Sequence, residues 1–295
     1  SVTSAQLTEV TFIDNGGGSG GGLAAQGSTV TINQSEWEGN SAAQGGALYS
    51  TESVMQISRA TLTANRAESG GAIFRQGGQL TLDATTAAGN TAAQDAGALY
   101  LQDGGSVRLG RVHLFANSSG DRGGAVFSAG AADVRIVNSD FVGNSAARGS
   151  ALFGQDATPA LINSTITANS SSSGAAVQVD GASTATLRNT VVWGNAGGAV
   201  ANSPASSLTL NYSAVEGSGG KDPLFVRPPA PGDGNWGTLA DNDYGDLSVQ
   251  PESPTIDAGD NGALPADTDI DIKGNIRFWD YLAASDTGAG AAPIV

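Results

Sequence analysis

The sequence predicts an all-β solenoid, a parallel β-helix of short strands wound in coils of about 25 residues, and three observations predict it. Asparagines recur at Asn15, Asn40, Asn65, Asn90, Asn117, Asn144, Asn169 and Asn195, at spacings of 25, 25, 25, 27, 27, 25 and 26. Apolar residues keep fixed offsets from each of them: eight before stand Leu7, Ile32, Ile57, Leu82, Leu109, Ile136, Leu161 and Leu187, without exception. A small-residue turn opens the last strand of each coil, as in Gly45-Gly46-Ala47-Leu48-Tyr49 and Gly123-Gly124-Ala125-Val126-Phe127.

The first strand of each coil follows from the alternation of offsets ten and eight, as in Val30/Ile32 and Leu80/Leu82, which puts two side chains on one face. A second strand has inward positions five and three before the Asn, as in Val10/Phe12 and Val112/Leu114. The step from eight to five breaks the period of two and marks a corner. Beyond the Asn comes a variable polar stretch, then the third strand. Three short strands of one coil cannot pair with each other, so each must pair with its counterpart in the next coil. Equivalent side chains then form rows spaced by about 4.8 Å. In such a row an Asn amide, with two donors and an acceptor, satisfies its neighbours, so an inward ladder is expected. An ordinary turn residue tolerating positive φ is the alternative.

Composition agrees and excludes several classes. The 295 residues include 43 Gly, about twice ordinary usage, but also 39% hydrophobic residues, enough for a core. There is no Cys, hence no disulfide. A net charge of −15 repels phosphate backbones and anionic lipid, so no nucleic-acid partner is expected. No run approaches the roughly 18 apolar residues of a membrane span. The wealth of Ser, Thr, Asn and Gly, with Lys only at 221 and 273, fits a secreted or cell-surface protein whose signal has been removed.

Charge and proline divide the chain. Residues 1–216 carry 15 acidic and 9 basic residues, a net of −6, with two of the ten prolines. Residues 217–295 carry 13 acidic and 4 basic residues, a net of −9, with the other eight. The first region is the repeat domain, and the second is expected to form the final coils and a C-terminal cap, with Trp236, Phe278, Trp279 and Tyr281 as an apolar plug.

Gly123-Gly124-Ala125-Val126 and Phe141-Val142-Gly143-Asn144 resemble the repeats of polymorphic outer-membrane proteins and related bacterial surface adhesins. Asp222-Pro223-Leu224-Phe225-Val226, Tyr244 to Gly259, and Asp271-Ile272-Lys273-Gly274-Asn275-Ile276-Arg277 resemble the end of the choice-of-anchor Q type of β-helix protein. Asp286 to Val295 departs from that family, lacking its usual Ile-Gly-Ala-Tyr-Glu closure. The resemblance implies a secreted, surface-associated, right-handed β-helix and fixes no reaction. Right-handedness also follows from the usual crossover of parallel strands.

Candidate chemistry is sparse. The repeat region has no Lys and none of the paired-Asp or Arg-x-Lys signatures of lyases and hydrolases built on β-helices. One cluster stands out on the outward row four before each Asn, where His113 is expected one coil from Asp140, with Arg111 on the same exposed face and Arg108 and Arg135 on the neighbouring one. A His beside a carboxylate and guanidiniums suits binding or deprotonation of an acidic sugar, and a solvated ion pair is the plainer alternative. In the second region Asp257, Asp260, Asp267, Asp269 and Asp271 suit a structural calcium ion. Asp267-x-Asp269-x-Asp271 is no EF-hand, since Ile272 stands where Gly is required and Phe278 where Glu belongs. Capping aspartates are the alternative.

Solenoids need covered ends. Leu7, Val10 and Phe12 already occupy repeat positions, so coil one is expected to meet something outside it, most economically another copy docked head to tail. The expected function is therefore a non-enzymatic structural or adhesive surface protein, self-assembling into a filament or meeting a surface glycan or receptor. The alternative is a polysaccharide-binding or lyase-like protein acting on an acidic glycan.

Overall fold

The computed structural model describes residues 4–130, 133–266, 268, 270–276, 281, 283 and 285–290. The repeats form a parallel β-helix with four sheets along its sides. Sheet I has nine strands, from Ser4–Thr8 to Ser207–Asn211, and sheet II nine, from Thr11–Ile13 to Ala214–Val215. Sheet IV has eight, from Leu23–Gln26 to Val200–Asn202. These are the three strands expected in each coil. Between the second and third, in the variable stretch, lies sheet III, whose seven strands of two to four residues run from Gly16–Ser19 to Ser170–Ser171. Every pairing in the solenoid joins equivalent residues of successive coils, such as Ile32↔Ile57 and Leu62↔Ala87.

Both corners of sheet II are made by one left-handed residue. Between sheets I and II this is Glu9, Gln34, Arg59, Ala84, Arg111, Asn138, Asn163, Asn189 and Tyr212, with φ from 47° to 54°. That residue absorbs the break in the period of two. Between sheets II and III the left-handed residue is the one before each ladder asparagine, as at Gly39, Ala64 and Gly143. Positive φ is thus carried next door, and the asparagine itself turns inward. At Gly71 a Cβ would lie 2.1 Å from the Gly97 carbonyl oxygen, so the turn into sheet IV tolerates no side chain there.

The ladder is continuous. Each Nδ2 donates to the Oδ1 of the next asparagine at 2.8–3.0 Å, from Asn15 through to Asn195. Each Oδ1 from Asn40 on also accepts the backbone N–H of the asparagine before it, as at Asn144, 2.9 Å from Asn117 N. The second Nδ2 hydrogen reaches back to the carbonyl three residues before the previous asparagine, as from Asn117 to Ala87 O at 2.9 Å. Interior amides are therefore fully satisfied while almost wholly buried, which removes the penalty a polar core otherwise carries.

The apolar rows fill the lumen. Ile32, Ile57, Leu82, Leu109, Ile136, Leu161 and Leu187 are all buried, and Trp37 stacks on Phe12 at 5.2 Å. At about 25 cal/mol per Å² of apolar surface removed from water, each such side chain contributes about 1.5–3 kcal/mol.

After Val215 the coils stop, and the chain turns through bonds from Ser218 N and Gly220 N to Val215 O. Phe225–Arg227 and Asp246–Val249 then form an antiparallel hairpin. Part of this region docks on the flank of the solenoid, which corrects the expectation of an end plug for Trp236. Trp236 lies over Gly143, where a Cβ would come within 2.4 Å of its indole, Leu239 lies over Gly89, and Tyr244 stacks on Phe115 at 4.2 Å. Glycine at these corners makes room for the docked side chains. Tyr281 is exposed. Phe278 and Trp279 lie outside the described residues.

Candidate functional site

His113 and Asp140 occupy paired register positions in adjacent strands of sheet II, His113–Phe115 and Asp140–Val142, as the spacing requires. His113 Nδ1 lies 3.5 Å from Asp140 Oδ2, outside hydrogen-bond range, and has no other partner. The imidazole instead leans on Phe115, ring centroids 5.1 Å apart, and Phe115 is covered by Tyr244. A carboxylate orients an imidazole as a base through a hydrogen bond, direct or through one bridging water. The pair does not meet that criterion directly.

Arg111 does not join them, contrary to the sequence expectation. It is the left-handed corner residue, with φ 53°, so its side chain leaves the row that carries His113. Its guanidinium forks onto Asp83 one coil earlier, Nε to Oδ1 at 3.1 Å and Nη2 to Oδ2 at 2.5 Å. Such a bidentate pair fixes Arg111 on the sheet I side. Arg108 and Arg135 stand on sheet I, in register with each other.

Two of the acidic candidates of the C-terminal region, Asp260 and Asp271, are engaged in local turns. Asp260 Oδ1 caps the short turn Asn261–Ala263 by accepting from Gly262 N at 2.9 Å. Asp271 Oδ1 accepts from Lys273 N and Asn275 N, and its Oδ2 from Asn275 Nδ2 at 3.1 Å. Asp257 is buried. Among the described residues no three His, Cys, Asp or Glu side chains converge on a point where a metal would sit. Asp267 and Asp269 lie outside the described residues.

Three arrangements escaped the sequence reading. The first is a hydroxyl row at the corner of sheets I and II, five before each asparagine. Ser35, Ser139 and Ser213 each accept the backbone N–H of the same position one coil earlier, at 3.1–3.2 Å, and donate to the carbonyl two residues back. Its signal in the sequence is the recurrence of Ser or Thr at that offset, as at Ser35, Thr85, Ser139, Ser164 and Thr190. The second is the corner run Asn138, Asn163 and Asn189, of which the outer two hold the returning chain: Asn138 Nδ2 donates to Ile270 O and Asn189 Nδ2 to Asp260 O. The third is Arg75, fully buried in an inward position of sheet IV between Ser50 and Leu101. Its Nη1 donates to Gln102 O and its Nη2 to Gly78 O, and Nε has no partner. Burial pulls its pKa below the ordinary arginine value, with Glu52 and Asp103 opposing.

Outside sheet IV, Tyr49, Phe74, Tyr100, Phe127 and Phe153 stack coil upon coil at 4.5–5.9 Å. Their faces are spent on one another, and Arg122 and Arg148 close the far end, 4.7 Å over Phe127 and 5.4 Å over Phe153. The row braces the wall and leaves no open ring face along its middle for a sugar to stack on.

A family model described as right handed beta helix region matches residues 1–166, more than half of the chain. No curated protein and no solved structure matches it.

Proposed function

Since the chain belongs to the right-handed β-helix family, we propose that it is a non-enzymatic structural or adhesive protein of the cell surface or extracellular space. The observation that carries this reading is how its polar groups are spent. The ladder amides, the corner hydroxyls and five of the nine guanidiniums of the repeats are committed to bonds between coils, which hold a long rigid rod in register. His113 lacks the hydrogen bond by which Asp140 would orient it as a base. The Gly-Gly-Ala and Phe-x-x-Asn repeats, with their resemblance to polymorphic outer-membrane proteins, support the placement at a surface. So does the hairpin in which Gln250 N donates to Leu224 O and Ser253 Oγ to Pro223 O, whose sequence resembles the choice-of-anchor Q type.

In this reading the strands of coil one are the joining edge. Ser4–Thr8, Thr11–Ile13 and Leu23–Gln26 pair on one side only among the described residues, and Asn15 is exposed. A second copy, or a preceding coil, would continue all the sheets and the ladder there. The other end is finished differently, with Glu216 Oε2 accepting from Gly194 N and Asn195 Nδ2 turned to Trp193 O.

Negative-stain electron microscopy and light scattering of the purified chain, with and without EDTA, test the proposal. Filaments whose formation is blocked by Leu7→Lys support it, and their loss in EDTA would assign a calcium ion to the joint. Strict monomers at high concentration, together with cleavage of an acidic polysaccharide lost in His113→Ala, would overturn it in favour of a lyase-like enzyme.

A further inference from the structure

We propose that the cleft between sheet I and Pro265, Thr268 and Ile270 of the returning chain binds an oxyanion, the carboxylate or sulfate of an acidic saccharide, between Arg108 and Arg135. The cleft encloses about 390 Å³, within the usual range for a small-ligand site. Its lining includes both of these guanidiniums. They occupy paired positions on adjacent strands, Ser106–Gly110 and Asp133–Val137, so two like charges stand one strand spacing apart, an arrangement that destabilises a sheet unless something neutralises it.

Nothing among the described residues does so. Arg111, Arg122, Arg148 and Arg227 each have an aspartate partner, whereas Arg108 and Arg135 have none. Arg135 Nε is also buried without an acceptor. The carboxylate that shares the cleft, Asp83, is already forked onto Arg111. In a chain of net charge −15, an uncompensated cationic pair lining a cleft is what needs explaining. An oxyanion seated between the two would relieve their repulsion, take up the Nε donor and accept charge-assisted hydrogen bonds from both planar forks. Gly110, the outward position after Arg108, presents no side chain over the floor of the cleft, which leaves room for the ring that carries the anion. The proposal concerns the flank of the rod and is independent of how the rods assemble.

The test is calorimetric titration of the whole chain at low ionic strength with sodium sulfate, galacturonate and neutral galactose, on the wild type, R108Q, R135Q, the double variant and a remote control, R59Q. Sulfate and galacturonate are expected to bind the wild type and R59Q, to weaken at least tenfold in either single variant, and to vanish in the double one, while galactose gives no heat. Galacturonate binding at least fivefold tighter than sulfate identifies an acidic sugar, and equal affinities identify a site for the oxyanion alone; either supports the cleft. Melting temperature gives a second reading. Without anion R135Q should melt at or above the wild type, and the extra stabilisation by galacturonate should be confined to chains that keep both arginines. Anion binding unchanged in the double variant, or no binding to the wild type at all, would overturn the proposal.

Discussion

The side-chain amide of Asn189 grips the backbone of Asp260 from 71 residues away, Nδ2 donating to the carbonyl at 3.0 Å and Oδ1 accepting from the N–H at 2.7 Å. One corner residue thus acts as a surrogate strand edge for the returning chain. Asn189→Ala should free that segment without unwinding the coils, at a local cost of about 1–3 kcal/mol. Limited proteolysis should then cut near residues 256–264, with the melting of the solenoid almost unchanged. Loss of the whole fold would show that the flank holds the rod together.

Ladder position should decide mutational cost. Asn117 makes four hydrogen bonds through its side chain, Nδ2 donating to Ala87 O and Asn144 Oδ1 and Oδ1 accepting from the backbone and side-chain N–H groups of Asn90, and it is fully buried. Asn117→Ala strands several of these partners and should cost about 3 kcal/mol or more. Asn15→Ala, at the exposed end, should cost less than about 1 kcal/mol. Urea titration followed by circular dichroism compares the two, and equal costs would refute the ladder as a stabilising element.

Arg75 offers the opposite sign. Its guanidinium is buried on carbonyl oxygens with no carboxylate bonded to it, while the same inward row holds Leu101 one coil later. Arg75→Leu should leave stability unchanged or raise it by about 1–4 kcal/mol, as hydrophobic replacements of buried ionic groups often do. Arg75→Ala, which leaves a void, should lower it by about 2 kcal/mol. Thermal melts of both variants give the comparison, and a strongly destabilised Arg75→Leu would contradict this account.

Acid should loosen the hairpin first. The Lys273 ammonium, 2.8 Å from Asp246 Oδ1, with help from Ser248, holds the Asp246 carboxyl at about 2, below its ordinary 3.8. A depressed folded value means stabilisation present above about pH 4 and lost as pH falls through about 2. Hydrogen exchange across Asp246–Val249 should therefore rise over that interval, and Lys273→Met should raise exchange at neutral pH and flatten the acid dependence. An unaltered profile in Lys273→Met would assign the effect to other carboxylates.

The coils were legible because a stacked repeat writes its geometry into the chain directly: each inward row is a column of residues, and Leu7 to Leu187 kept it without a gap. Sheet III was not, since strands such as Arg66–Ala67 are too short to show a period of two. Arg111 misled for a local reason. Counting by twos carries it onto the face of His113, but a left-handed residue rotates the chain between them. The docking of the second region was hidden because Asn138 and Asn189 look like any turn asparagine, and the partners Ile270 and Asp260 contribute backbone, which carries no sequence signature.

The asparagine column also runs one way. Each amide-to-amide bond in it has the N-terminal asparagine as donor and the C-terminal one as acceptor, so the column has a donor sense and an acceptor sense. A coil added ahead of Asn15 must arrive with N–H groups leading. Two first coils meeting face to face would set amide oxygen against amide oxygen. Chemistry at the level of a single side chain thus gives the rod an arrow, and under the assembly proposed above it would favour addition in one sense over symmetric pairing.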